Sequence, residues 1–159
     1  MANIFAASEI VKLGVQIEKN GMDFYNALVN RSKDKKASGI FRYLAGEEEK
    51  HISVFQKLLN SIEKYEPAES YPNEYFAYMN ALAGDHVFTK EGRGKEIANK
   101  VKSDKEAIEL GIGFEKDSII FYEGMKKAVL AGEVKIIEQL ILQEESHLQM
   151  LQNQMEERE

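Results

Sequence analysis

Glu48-Glu49-Lys50-His51 and Glu144-Glu145-Ser146-His147 each place a carboxylate three residues before an imidazole. A helix turns by about 100° per residue, so a Glu and a His three apart lie within roughly 60° of each other and can bind one side of the same metal ion. Upstream of each motif stands a second repeated pair, Glu18 with Tyr25 and Glu115 with Tyr122. Residues seven apart are only about 20° off one line, so each Glu and its Tyr project from a single stripe. Four carboxylates and two imidazoles in this order are what a two-metal site inside a four-helix bundle requires.

The repetition extends beyond these residues. Val11–Tyr25 and Ile108–Tyr122 share Leu, Gly, Glu, Lys, Phe and Tyr at equivalent places, with Glu18 and Glu115 97 residues apart. Leu44, Glu48, Glu49 and His51 likewise match Leu140, Glu144, Glu145 and His147 at a spacing of 96. The chain therefore reads as two similar helix hairpins.

Apolar residues set the helices. Ile10, Leu13, Ile17, Phe24 and Leu28 recur at helical intervals from Ala7 to about Asn30, with Ser8 a candidate N-cap. After the polar break Arg31-Ser32-Lys33-Asp34, a second run passes through Phe41, Leu44, His51, Phe55 and Leu58 to about Lys64. The short break predicts antiparallel neighbours, and Glu18 and Glu48 then stand at the same level. A third helix begins at Ser103-Asp104, where Ser103 and Glu106 form a capping box, and carries Ile108, Ile112, Glu115, Ile119 and Tyr122 toward Leu130. Gly132 marks the next break, and the fourth helix runs through Ile136, Leu140, His147 and Leu151.

The hairpins 7–64 and 103–158 are joined by a crossover, 65–102, which contains both prolines, Pro67 and Pro72, and the breakers Gly84, Gly92 and Gly94. Tyr75–Ala83 and Lys95–Val101 read as short helices within it. A helix of about 28 residues is roughly 42 Å long, and a connection of this length can run back along the bundle and start the third helix parallel to the second. The expectation is one all-α domain over 1–159, a four-helix bundle with one long crossover.

Composition narrows the chemistry. The 159 residues are 43% hydrophobic and 30% charged, enough for one ordinary core. A net charge of −6 with scattered lysines supplies no basic face for nucleic acid. The absence of Cys excludes disulfides, thiolate metal sites and iron–sulfur clusters, so any metal is held by O and N ligands. No signal-type leader and no run of about 20 apolar residues is present, which points to a cytoplasmic protein without a membrane partner.

In this reading each metal takes one terminal Glu and one His, and two Glu residues are shared. Four carboxylates balance two divalent cations, without which burial would be prohibitively costly. Mixed carboxylate and imidazole ligation suits iron or manganese and also admits zinc. Tyr25 and Tyr122 are placed to hydrogen-bond ligand carboxylates, although a tyrosine at this spacing is as often plain core. A single Glu-x-x-His is weak evidence on charged helices, whereas here both imidazoles fall on apolar stripes that also carry Glu. Glu47 also shares a face with His51, but its equivalent is Gln143, so symmetry favours Glu48. His86, beside Gly84 and Asp85, reads as a surface-loop histidine, and the six methionines as filler.

As a set, Glu18-x6-Tyr25, Leu44 to His51, Glu115-x6-Tyr122 and Leu142 to His147 resemble the rubrerythrin branch of the ferritin-like superfamily. The resemblance covers the four main helices and leaves 65–102 unexplained. It implies a ferritin-like bundle with a two-iron centre that reacts with hydrogen peroxide or dioxygen, and often a homodimer. It makes Glu18, Glu48, His51, Glu115, Glu144 and His147 the iron ligands. Two departures stand out. Rubrerythrins usually add a four-cysteine iron module that feeds electrons to the site, so here electrons would come from an external donor protein. They also usually carry an additional Glu three residues after the third-helix ligand, and that position is Ser118. Iron storage and a metal-stabilised interaction module are the competing functions; a large closed cage would favour storage.

Overall fold

The computed structural model describes residues 7–65 and 73–158. They form six α-helices and, among the described residues, no strand: α1 (Ala7–Arg31), α2 (Lys35–Tyr65), α3 (Asn73–Asp85), α4 (Arg93–Asn99), α5 (Asp104–Met125) and α6 (Val134–Glu157). No helix among them is long and apolar enough to cross a membrane. The prolines Pro67 and Pro72 lie outside the described residues.

The boundaries follow local chemistry. Ser103, in an extended conformation, accepts from the backbone N–H of Glu106 at 3.1 Å and starts α5 as the capping box predicts. Ser8 does not cap α1, because it already lies inside the helix. The third helix is shorter than its periodicity suggests. After Met125 the chain tightens into a 3₁₀ turn, Lys126–Ala128, then extends at Val129 and Leu130 before a second turn, Ala131–Glu133. Val129 and the small Ala128 are buried there, so the break serves packing and precedes Gly132. Gly92, at φ 80°, supplies the left-handed residue that starts α4.

α1 packs chiefly on α2, and α5 on α6. Glycines show how α1 meets α5. A Cβ built on Gly14 would touch Met125, one on Gly21 would touch Phe114, and one on Gly111 would touch Tyr25. Advancing along α1 therefore means retreating along α5, so α5 is antiparallel to α1 and parallel to α2, as the long crossover requires. Between α2 and α6 the cross-contacts pair His51 with Gln143 and Glu47 with His147.

The core holds Ile10, Ile17, Phe24, Phe41, Phe55, Leu58, Phe121 and Leu151, all almost wholly buried. On α6 the inward residue is Ile137 rather than Ile136, which is exposed. The rest of the expected stripe, Leu140, His147 and Leu151, is buried as read.

One side chain makes three of the bonds that fix the crossover to the bundle, beside those of Arg31 to the Val101 carbonyl and of Tyr75 to the Gly124 carbonyl. Buried Asn20 on α1 donates to the carbonyls of Phe88 (2.5 Å) and Lys90 (2.8 Å) and accepts from the Gly94 N–H (3.0 Å). Gly94 is obligatory at this point, since a Cβ there would sit 2.0 Å from the Asn20 carbonyl oxygen. Phe88 follows the staple inward and packs on Phe114 and Phe24, with ring centroids 4.5 and 5.5 Å apart.

Candidate metal centre

Glu18, Glu48, Glu115 and Glu144 are all fully buried, and His51 and His147 nearly so, each brought inward by the apolar stripe of its own helix. The structure brings together all six residues singled out in the sequence. They form two overlapping groups, Glu18, Glu48, His51 and Glu144, and Glu48, Glu115, Glu144 and His147. In each group four ligand-type atoms lie within 4.8 Å of one another, and Glu48 and Glu144 belong to both. These are buried Glu/His groups able to hold metal ions.

Buried polar atoms normally have hydrogen-bond partners, so exceptions call for an explanation. Among the described residues eight have none: Glu18 Oε2, Glu115 Oε2, both oxygens of Glu48 and of Glu144, and Nδ1 of His51 and of His147. His51 Nδ1 is 2.8 Å from Glu144 Oε1 yet off the line of a hydrogen bond. His147 Nδ1 lies 3.4, 3.8 and 4.0 Å from oxygens of Glu48, Glu115 and Glu144. Carboxylate oxygens and imidazole nitrogens that converge without hydrogen bonds among them are the donor set a pair of cations would satisfy.

The tyrosines complete the arrangement. Tyr25 donates to Glu115 Oε1 at 2.8 Å and Tyr122 to Glu18 Oε1 at 2.6 Å, so each serves the carboxylate of the other hairpin. One oxygen of each end carboxylate is thereby fixed, and the other is the unpartnered one. Burial, with the adjacent carboxylates, holds both phenols well above their ordinary range, so they remain donors.

In the protein alone, the cluster retains protons. Burial and the neighbouring carboxylates push Glu48 and Glu115 well above the usual carboxylate range and raise Glu144. Glu18 goes the other way: burial opposes its charge, but the proximity of Glu48 and His51 and the hydrogen bond from Tyr122 hold it low. His51 is likewise opposed by burial, yet the Glu144 and Glu18 carboxylates raise it to about 11. Cations would replace these protons.

Three neighbours of the centre were not legible as such. His86 is not a surface residue. Only 3% exposed, it accepts from the Phe88 N–H through Nδ1 (3.1 Å), and its Nε2 meets Ser118 Oγ at 3.1 Å. Its imidazole packs beside the Phe88–Phe114 pair, which the short sequence around it could not announce. Burial pushes it down to about 4. Gln143 accepts from His51 Nε2 at 2.5 Å, and Asn20 anchors the crossover two residues past Glu18. The Glu47/Gln143 mismatch in the repeat was the available signal for Gln143.

The model of the rubrerythrin family matches residues 9–155. Among solved structures, a Thermotoga maritima protein described as a ferritin-like diiron-carboxylate protein is similar over 100% of both chains, with 25% identity and a TM-score of 0.74. No curated protein matches the sequence.

Proposed function

Because the chain belongs to the rubrerythrin family, we propose that it is an oxidoreductase whose two-metal centre reduces hydrogen peroxide or dioxygen. In this reading the metals are iron. Glu18 and His51 hold one ion, Glu115 and His147 hold the other, and Glu48 and Glu144 are shared. The observation that carries the proposal is the set of eight buried, unpartnered ligand atoms converging in two overlapping groups. When bound, two iron ions supply the pair of electrons needed to cleave an O–O bond.

The protein's own residues do the rest. Tyr25 and Tyr122 hold one oxygen of Glu115 and of Glu18, which presets the direction of the other. Phe55 against Tyr122, and Phe41 and Phe114 against Tyr25, wall the centre with aromatic surface that excludes bulk water. His86 and Ser118 place a buried polar pair on the crossover side, at the position where the resemblance would put an additional carboxylate. An imidazole that accepts from Phe88 N–H carries its own hydrogen on Nε2 when neutral, so it donates to Ser118 Oγ. With no Cys in the chain, electrons arrive from a separate donor protein.

The test is anaerobic Fe(II) loading followed by stopped-flow absorbance on mixing with peroxide and, separately, oxygen. Two irons per chain with peroxide the faster oxidant support the proposal. Faster oxidation by oxygen moves the reading to an oxidase, and binding of no more than one metal per chain sinks the two-metal centre.

A further inference from the structure

The internal repeat makes His51 and His147 equivalents, and the residues four before them, Glu47 and Gln143, equivalents as well. Each of these partners serves the histidine on the opposite helix. Gln143 Oε1 on α6 takes the Nε2 of His51 at 2.5 Å, and Glu47 Oε1 on α2 stands 3.9 Å from the Nε2 of His147. The two rings are nearly parallel, 17° apart with centroids at 5.7 Å, and both turn Nδ1 to the carboxylates and Nε2 to these outer partners. Inward, each Nδ1 faces the carboxylates; outward, one ring rests on a neutral amide and the other on a carboxylate. Lys50 occupies the second oxygen of Glu47 at 3.0 Å, and Oε1, which accepts from the Tyr43 hydroxyl at 3.4 Å, is the oxygen nearest His147.

We propose that Glu47 and Gln143 are positioning residues that make the two metal positions unequal, so that a divalent cation binds first and more tightly at the Glu115–His147 position. This rests on the two-metal reading above. An outer carboxylate makes an imidazole a more basic ligand and adds a negative charge beside the ion, whereas an amide only fixes the tautomer. A cation on Nδ1 also makes the Nε2 hydrogen more acidic. That draws Glu47, whose side chain is 17% exposed and held at Oε1 only by the long 3.4 Å bond from Tyr43, into the full hydrogen bond.

The test is anaerobic titration of metal-free protein with Co(II), followed by calorimetry and visible absorption. The wild type is expected to bind two Co(II) in two resolved steps. Glu47→Gln weakens the tighter step by about 10- to 100-fold, the usual cost of losing such a partner, and merges the two steps. Gln143→Glu tightens the weaker step, and the double exchange restores the separation. All three variants should melt like wild type when metal-free. Two resolved steps that Glu47→Gln leaves unchanged, or weakens equally, overturn the inference while sparing the two-metal centre. Fewer than two bound ions in the wild type overturn that reading itself.

Discussion

The two hairpins supply the centre almost interchangeably, yet they meet the crossover in entirely different ways. Glu18, Tyr25, Glu48 and His51 superpose in role on Glu115, Tyr122, Glu144 and His147, down to the reciprocal tyrosine bonds. Two residues past each end carboxylate the likeness ends. Asn20 is buried and makes three bonds to the crossover, whereas its equivalent, Asp117, is exposed. Gly21 admits the Phe114 ring, since a Cβ there would stand 2.6 Å from it, whereas its equivalent, Ser118, receives His86. Equivalence is kept where both halves face the same carboxylates and lost where only one segment of chain passes.

The sharpest way to break the comparison is to remove what both halves share. Glu48→Ala with Glu144→Ala should abolish the binding of both metals, read by metal analysis. Glu18→Ala and Glu115→Ala should each lose one ion, and an unequal loss would show the halves not to be equivalent.

Next in size is the staple. Asn20→Ala strands two carbonyls and an N–H in the interior and should cost about 3 kcal/mol in urea unfolding. Asp117→Ala at the equivalent place should stay within about 0.5 kcal/mol. Equal effects would mean that the crossover is held elsewhere.

His86 gives the contrast a pH dependence. Burial lowers its folded pKa to about 4 from the ordinary 6.5, so the unfolded chain takes up a proton that the folded one refuses. Its neutral form contributes fully above about pH 6.5, and that stability is lost as the pH falls toward 4, up to roughly 3 kcal/mol. His86→Gln should remove this slope. The check is the difference between wild-type and variant unfolding free energies across that window; a constant difference would place the ring in contact with water.

The smallest effects expected are those of Tyr25→Phe and Tyr122→Phe, about 1–2 kcal/mol each in metal-loaded melting, because one oxygen of a buried carboxylate loses its donor. The Tyr25→Phe loss should be at least as large as the Tyr122→Phe loss, since Tyr25 serves Glu115 at the position proposed to bind more tightly, and the reverse order would count against that inequality.

Much of this was legible in the sequence because the informative residues recur. Two copies of Glu-x-x-His at matched helical phase identify inward faces without any knowledge of contacts, and the length of 65–102 fixes the direction of α5. What stayed hidden depends on partners distant in sequence. Nothing beside His86 indicates that Ser118, 32 residues on, will meet it. Asn20 looks like an ordinary helical polar residue until Phe88, Lys90 and Gly94 arrive. The early end of α5 was equally hidden, since Lys126 to Leu130 keep helical spacing while packing draws Val129 out of it.

The tyrosine exchange makes the two halves interdependent. A single hairpin carries an end carboxylate, a shared carboxylate and an imidazole, but the partner of its phenol and the donor to its end carboxylate both lie on the other hairpin. The reciprocal bonds Tyr25 to Glu115 and Tyr122 to Glu18 satisfy both at once, so neither half orients its own end carboxylate without the other.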